Sequence, residues 1–276
     1  MLDLCYLVDI AEKFTAKSKV THVIQCAGKV RGIAQLKQEL FVCTHLSEQL
    51  AVYDVNIYSQ TRQVTVPDMK QPRSLAACKQ NNCLYISDAE LECIHRVNLS
   101  NDSCSKWSLN ADPRGVSLTR AFNLLVTLPQ SIEEYTTIGS LIRSIKLDVS
   151  IDYIQHAIEL SSGQFVVSRA GSAQHRVCVV DTAGRIVHSY GGPPGSSAGQ
   201  LNWPCDLAVD THGWVFVADC DNNRVQVLGP TLTRLGDVTT VGHQLNKPFA
   251  LHLDEFNGRL MVGEDGAEPM LTIISL

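Results

Sequence analysis

The sequence contains few charged residues and few aromatic ones. Asp, Glu, Lys and Arg together make up 18% of the 276 residues, and Phe, Trp and Tyr make up 6%. The charged fraction lies below the average of about 25% for soluble domains, which leaves little room for disordered tails. Hydrophobic residues make up 45%. This composition predicts a globular protein with either two ordinary domains or one large β domain.

The chain also lacks any long hydrophobic run. No apolar segment approaches the roughly 18–20 residues that span a bilayer, and the N-terminus has no basic region before its apolar residues. We therefore expect no signal peptide and no membrane partner. The formal charge of −5 excludes a chain that is basic throughout, and we expect no DNA partner.

The ten cysteines are scattered along the chain and show no C-x-x-C spacing. Scattered cysteines in a chain of this length are more typical of reduced, mostly buried thiols than of a secreted disulfide framework. The sequence therefore predicts a cytoplasmic protein.

Motifs for catalysis and cofactor binding are absent or incomplete. There is no H-E-x-x-H, no Walker lysine loop and no G-x-G-x-x-G, and the G-x-S-x-G match at 195–199 lies in a loop rather than at a strand-to-helix turn. Asp219–Arg224 begins like a calcium loop, but Arg224 and Pro230 stand where Gly and Glu are required. We expect Asp219 and Asn223 to bond turn amides instead. We expect no metal, no cofactor and no catalytic residue.

Trp203–Gly229 contains three short Val-rich runs separated by turn residues, which predicts three β-strands. The run before them, Gln200–Pro204, recurs as Gln244–Pro248. Weaker copies of the same anchor occur upstream, at intervals of 41 to 49 residues. The six anchors are Val30, Pro72, Pro113, Gln155, Pro204 and Pro248.

A second landmark follows each anchor after about fourteen residues: an apolar pair, then a small residue, then a variable one. The small residues are Thr44, Ser87, Thr127, Ser168, Ala218 and Gly263. Two landmarks in step through six copies of 40–45 residues are typical of a propeller. We predict an all-β, six-bladed β-propeller of four-stranded antiparallel blades.

The last copy has room for only three strands, and we expect an N-terminal strand over Thr21–Gly28 to complete it and close the ring. The propeller then occupies residues 20–276. Residues 1–19 form a short N-terminal helix or extension, because Leu7, Ile10, Ala11 and Phe14 have helical spacing.

Pro204–Val227 resembles an NHL repeat: a proline, Leu-Ala-Val-Asp, a turn glycine, Val-Phe-Val-Ala-Asp, then Asn-Asn-Arg-Val-Gln-Val. The resemblance implies a six-bladed NHL propeller of the type found at the C-terminus of TRIM-NHL and Brat-like proteins. The acid at Asp219 recurs as Asp88, but His45, Leu128, Arg169 and Glu264 stand at the other matching positions. The chain therefore resembles a divergent member of this family.

The residues directly after the anchors are the candidate binding residues. They are Arg31, Arg73, Arg114, His156, Cys205 and Phe249. Each should lie where an innermost strand begins, so three arginines of consecutive blades fall on one face. Trp203 and Lys247, which precede their anchors, should lie on the same face. Arginine for carboxylate or phosphate, with Trp or Phe for stacking, predicts a contact surface. Alternatively, the arginines pair with acids of neighbouring loops, such as Glu48, Asp88 or Glu90.

Two functions fit this surface. The resemblance implies a non-enzymatic module that recognises protein substrates for a ubiquitin ligase, although this chain has no RING or B-box pattern. Alternatively, the arginine face binds single-stranded RNA, as some NHL propellers do. Net acidity and the loss of the basic pattern at Cys205 and Phe249 favour a protein partner. A propeller hydrolase or lyase with a metal in its channel is a second alternative.

Overall fold

The computed structural model of the chain describes residues 18–148, 150–238, 240 and 242–276. These residues contain 24 β-strands in six four-stranded antiparallel sheets, which are the blades of a propeller. Residues 1–17 of the expected N-terminal helix or extension, 1–19, lie outside the described residues, and Lys19 begins strand β1. No helix in the described part of the chain is both long and apolar enough to cross a membrane.

The first three blades follow one another in sequence. Blade 1 consists of β2 (Val30–Leu36), β3 (Glu39–Thr44), β4 (Gln49–Asp54) and β5 (Gln60–Thr65). Blade 2 consists of β6 (Pro72–Cys78), β7 (Cys83–Asp88), β8 (Cys93–Asn98) and β9 (Ser103–Ser108). Blade 3 consists of β10 (Val116–Leu118), β11 (Leu124–Leu128), β12 (Ser131–Tyr135) and β13 (Leu141–Lys146).

The last three blades complete the disc. Blade 4 consists of β14 (Ile154–Glu159), β15 (Phe165–Ala170), β16 (His175–Val180) and β17 (Ile186–Gly192). Blade 5 consists of β18 (Pro204–Val209), β19 (Val215–Asp219), β20 (Arg224–Leu228) and β21 (Arg234–Asp237), with a 3₁₀ turn at Cys220–Asn222. Blade 6 consists of β22 (Pro248–Asp254), β23 (Arg259–Glu264), β24 (Met270–Ser275) and β1 (Lys19–Gln25).

Burial is greatest in the second strand of each blade and least in the outermost strand. The second strands β7, β11, β15 and β19 are buried along their whole length, because neighbouring blades cover both of their faces. The outermost strands β1 and β9 are mostly exposed. This gradient explains the continuous apolar runs in the second strands and the polar composition of the outer ones.

Six apolar clusters fill the six spaces between adjacent blades. The cluster between blades 6 and 1 joins Met261 and Ile273 to Ile33 and Val42, at opposite ends of the chain. The innermost strands also contact one another in a closed ring, in which β22 lies against β2. Hydrophobic burial between blades is therefore the main interaction that closes the disc.

The predicted ring closure is confirmed. β1 pairs antiparallel with β24, from Lys19 opposite Ser275 to Gln25 opposite Met270. The strand begins and ends two to three residues earlier than the predicted Thr21–Gly28. Its pairing covers the outer edge of β24, so blade 6 has the same four strands as the others.

In two blades the predicted alignment of the repeat is wrong by one residue: the anchor of blade 4 and the small residue of blade 1. Ile154, rather than Gln155, pairs with Arg169, just as Pro72 pairs with Asp88 and is the anchor of its blade. In blade 1 the small residue of the second landmark is Cys43 rather than Thr44. Cys43 is the residue that pairs with Gly32, two places after the anchor Val30. Neither copy carries the anchor proline of the other four, so the sequence provided less to fix the alignment there.

The cysteines agree with the prediction of reduced, mostly buried thiols. All nine that the structure describes are free, and Cys104 alone among them is exposed. Burial raises the pKa of Cys43 to about 12 and that of Cys178 to about 11, so both thiols stay protonated and unreactive near neutral pH.

Candidate interaction surface

The innermost strands all begin at the same end of the channel, which we call the anchor face. In five blades the pairing of the first two strands shifts there by a β-bulge. A bulge leaves one residue unpaired and redirects its side chain. In blade 3, Arg114 occupies the position that the bulged residue has in the other blades. The N–H of Arg114 donates to the carbonyl of Thr127, and the N–H of Thr127 donates to the carbonyl of Gly115.

The bulged residues and Arg114 form what we call the mouth ring, one residue from each blade. Its members are Arg31, Arg73, Arg114, Gln155, Cys205 and Phe249. They line a small cavity of about 20 Å³ at the anchor end of the channel, which opens to solvent and has room for one or two water-sized groups. The structure therefore brings together five of the six residues that follow the sequence-predicted anchors, with Gln155 in place of His156.

His156 lies one residue deeper than expected, because Ile154 is the anchor of blade 4. It still lines the mouth cavity but is 7% exposed. Its Nδ1 contacts the carboxylate of Asp206, and its Nε2 lies 3.2 Å from the carbonyl oxygen of Val116. Burial alone would lower the pKa of His156, but Asp206 and the hydrogen bonds outweigh it and raise the pKa. His156 and Asp206 therefore form a buried ion pair that links blades 3, 4 and 5.

Arg31 connects the first blade to the last. Its side chain is 7% exposed, and its Nη1 lies 3.1 Å from Oδ2 of Asp265. The guanidinium also lies over the ring of Phe249, 4.2 Å from the centroid. Both partners belong to blade 6. Arg31 is thus fixed by a cation–π contact and a partly buried ion pair across the seam of the ring.

Arg114 has a looser environment. Its Nη2 lies 3.6 Å from Oδ2 of Asp112, and its guanidinium lies 5.5 Å from the ring centroid of Tyr153. Two of the three arginines therefore do pair with acids, but not with Glu48, Asp88 or Glu90, the acids named from the sequence. Asp112 precedes Arg114 by two residues, whereas Asp265 comes from the other end of the chain.

Arg73 lies between Arg31 and Arg114 in blade order. Burial lowers the pKa of its guanidinium; Arg31 and Arg114 act in the same direction, and Asp112 opposes them. Its Nε is buried and has no hydrogen-bond partner among the described residues. A buried guanidinium N–H without an acceptor is costly. Arg73 differs from Arg31 and Arg114 in that it also has no ion pair among the described residues.

The residues that precede the anchors form an outer rim around the mouth ring. Trp203 and Lys247 both have positive φ angles, of 61° and 54°. Trp203 is 41% exposed and packs edge-on against His175 at 5.9 Å. Nζ of Lys247 lies 3.4 Å from Oδ1 of Asp221. Both residues lie on the anchor face, outside the cavity.

Tyr153 is a rim residue that sequence reasoning missed. It precedes the anchor Ile154, has a φ of 51° like the other two, and is 52% exposed. Its carbonyl accepts the N–H of Ala170, just as the carbonyl of Trp203 accepts the N–H of Cys220. The one-residue error in the anchor of blade 4 concealed it. Aligning Ile154 with the prolines would have found it.

The acidic residues at the ends of the second strands accept hydrogen bonds from the loops that precede the anchors. Asp88 accepts the amides of Lys70 and Gln71, and Asp219 accepts that of Asn202 at 2.6 Å. Glu264 accepts the amide of Asn246 at 2.7 Å. Asn223 accepts the amide of Lys247 in the next blade. Asp219 and Asn223 thus bond backbone amides as expected, but those of the loops before β18 and β22 rather than those of their own turn.

Among the described residues, two clusters have the ligand types that bind metals. Asp88, Cys93 and His95 form a buried cluster, and Asp210, His212 and Glu255 form an exposed one. In the first, Nε2 of His95 already lies 3.1 Å from Oδ2 of Asp88. Both clusters lie outside the residues that line the mouth cavity.

Residues 201–228 match the family model of the NHL repeat. The structure is thus a six-bladed β-propeller that carries an NHL repeat in its fifth blade. Its sequence is related to that of TRIM proteins. The E3 ubiquitin-protein ligase TRIM56 of Mus musculus is 28% identical over 226 residues, which cover 76% of this chain and 28% of that protein. TRIM56 of Homo sapiens is 27% identical over 226 residues, with 76% and 27% covered. The chain thus spans about a quarter of the length of these relatives.

Solved structures with the same fold include enzymes. A streptogramin B lyase superposes with a TM-score of 0.66 at 13% identity, covering 90% of this chain and 82% of the lyase. A virginiamycin B lyase from Staphylococcus aureus gives 0.65 at 10% identity, with 94% and 100% covered. At these identities the likeness shows the fold alone.

Proposed function

We propose that this propeller is a non-enzymatic protein-interaction module that recognises its partner through the anchor face, as the substrate-recognition part of a TRIM-NHL-like ubiquitin ligase. The single observation that carries the proposal is the mouth ring, which places three arginines of consecutive blades around one open cavity. The sequence relatedness to TRIM56, which is an E3 ubiquitin-protein ligase, supports the assignment to ligases.

The exposed aromatic residues of the outer rim favour a protein as the partner. Tyr153 and Trp203 are 52% and 41% exposed and lie on the same face as the arginines, on blades 4 and 5. Tyr, Trp and Arg are the residues most enriched among those that dominate protein–protein binding energies. An exposed aromatic rim around a charged cavity is the combination expected of such an interface.

A binding role also fits the way that the acids are used. A calcium-dependent propeller enzyme needs free carboxylates around its channel. In this chain Asp88, Asp219 and Glu264 are fully buried and accept backbone amides. Their oxygens hold the loops of the anchor face in place, which is a structural task.

The proposal is tested by affinity capture from cytosol with the wild-type chain and the variant Arg73→Glu/Arg114→Glu. The matched control is Lys37→Glu/Lys79→Glu, which changes the net charge equally. Lys37 and Lys79 are exposed and lie in the turns after β2 and β6, at the opposite end of the channel. Each capture is repeated after RNase treatment, and each variant is checked by thermal unfolding.

We expect the arginine variant to lose proteins that the wild type and the lysine control both retain, with RNase having no effect. Loss of the same proteins from both variants would contradict recognition through the anchor face. Capture that disappears with RNase and falls steeply with salt would identify RNA as the ligand instead. Unfolding of the arginine variant would show that the arginines are structural, and the proposal would then be wrong.

A further inference from the structure

We propose that the mouth cavity is a carboxylate-binding site that receives one aspartate or glutamate side chain of a protein partner. This inference rests on the proposed function and specifies its chemistry.

The charges around the cavity do not cancel. Three guanidiniums, those of Arg31, Arg73 and Arg114, face two carboxylates, Asp265 with Arg31 and Asp112 with Arg114. The deeper acid of the cavity, Asp206, is paired with His156. Lys29 shares Asp265 with Arg31, so the surroundings of the cavity carry an excess of positive charge. Among the described residues Arg73 is the one arginine of the three without an ion pair, and a carboxylate is the simplest ligand that provides one.

The hydrogen-bonding groups point to the same ligand. The Nε atoms of Arg31, Arg73 and Arg114 are all buried, and none has a hydrogen-bond partner among the described residues. Guanidinium N–H groups are donors only, and their strongest acceptors are carboxylate and phosphate oxygens. These Nε atoms are covered by protein, so an oxyanion at the mouth would pair through the Nη groups of the guanidiniums that line the cavity and supply acceptors that the chain itself does not.

The rim favours a carboxylate on a peptide over the phosphates of a nucleic acid. Four aspartates lie on the anchor face, each beside a basic side chain: Asp112, Asp152, Asp221 and Asp265. Because each of these aspartates is paired with a cation, the rim has no continuous positive track for a phosphate backbone to follow. Phe249 and Tyr153 already have Arg31 and Arg114 over one face of their rings, which reduces the surface for base stacking.

The test follows the side-chain Nε–H signals of the arginines by ¹⁵N NMR on the folded chain. The probes are two acetylated and amidated pentapeptides that differ only in a central glutamate or glutamine, together with an oligouridine. The variant Arg73→Gln assigns the Arg73 signal and removes the uncompensated charge. Lys79→Gln is the matched control at the opposite end of the channel. Arg73→Lys keeps the positive charge but lacks the planar guanidinium, which can donate two parallel hydrogen bonds to a carboxylate.

We expect the glutamate peptide to shift the Arg73 and Arg114 signals saturably, and the glutamine peptide and oligouridine to leave them unchanged. Arg73→Gln should weaken glutamate-peptide binding about tenfold, with an intermediate effect for Arg73→Lys and less than about a twofold effect for Lys79→Gln. Equal shifts with both peptides, or no shift with either, would overturn the inference, and so would saturable binding of oligouridine alone. If the peptides fail but the arginine variant still loses its captured proteins, the anchor face remains the interface and only the carboxylate assignment is wrong.

Discussion

Gly263 of blade 6 packs directly against Val30 of blade 1, so that a Cβ atom at Gly263 would lie 2.3 Å from Cγ1 of Val30. This contact joins the last blade to the first at the inner end of the seam. Ser87 and Ser168 hold the same position in blades 2 and 4, and their hydroxyls donate to the carbonyls of Arg114 and Cys205 in the next blade. The small residue of each copy is therefore the point where one blade meets the start of the next.

The substitution Gly263→Ala should destabilise the protein by about 1–3 kcal/mol, because the added methyl group overpacks a β-branched neighbour that cannot rotate away. The measurement is the urea midpoint at a constant m-value. Gly192→Ala is the control, since a Cβ at Gly192 meets no atom within 4 Å. Equal midpoints for the two variants would show that the seam is not tightly packed.

Joining the two ends of the chain covalently should stabilise the ring. Lys19 pairs with Ser275 in the β1–β24 ladder, and opposite residues of antiparallel strands have Cβ atoms about 4.5–5.5 Å apart. We expect Lys19→Cys/Ser275→Cys, with the exposed Cys104 changed to Ser, to form a disulfide and raise the unfolding free energy by about 2–4 kcal/mol over its reduced form.

The check on this variant is chemical. Mass spectrometry of the oxidised protein should find the Lys19–Ser275 crosslink, and each single-cysteine variant should show no change on oxidation. A protein that stays reduced at these two positions under oxidising conditions would contradict the β1–β24 pairing.

Asp88 should contribute stability that disappears in acid. Burial alone would raise its pKa, but hydrogen bonds from His95 and from the amides of Lys70 and Gln71 outweigh it and lower the pKa to about 2. The stabilisation is therefore complete above the ordinary carboxyl pKa of 3.8 and is lost as the pH falls through about 2.

Asp88→Asn should thus cost about 1–3 kcal/mol near neutral pH, with the difference from wild type shrinking towards pH 2. Denaturant titrations at several pH values measure this difference. Asp68→Asn is the control, because the Asp68 side chain is 76% exposed. A cost for Asp88→Asn that does not change with pH would contradict the charged hydrogen bonds.

The ion pair of His156 and Asp206 should have the opposite pH dependence. The pKa of His156 is raised above its ordinary value of 6.5, so the folded state holds this proton more tightly than the unfolded state. The stabilisation is complete below pH 6.5 and is lost as the pH rises through the folded pKa.

His156→Gln should therefore lose on the order of 1 kcal/mol relative to wild type in mildly acidic solution and less in alkaline solution. The difference between the two proteins isolates His156 from His45 and His175, whose pKa values burial lowers. Direct observation of the His156 ring by NMR provides an independent check. A ring that titrates below 6.5 would contradict the ion pair.

The fold was predictable to the level of single strands wherever a copy carries its proline. Pro72, Pro204 and Pro248 all begin inner strands as expected. The alignment failed by one residue at Ile154 and Cys43, whose copies lack that proline. A one-residue slip moves a side chain to a different face. It therefore replaced Gln155 by His156 in the predicted ring and concealed Tyr153.

The repeat alone determined that the chain forms six blades and that an N-terminal strand completes the last one. Both follow from the spacing of proline and small residues along the sequence. The partners of the arginines were decided only by the tertiary structure. Arg31 meets Asp265 more than two hundred residues away. Arg73 has no ion pair among the residues that the structure describes, and the closed ring places Arg31 and Arg114 on the blades to either side of it. Which acid pairs with which arginine depends on which blades become neighbours, and the local sequence around each arginine does not determine this.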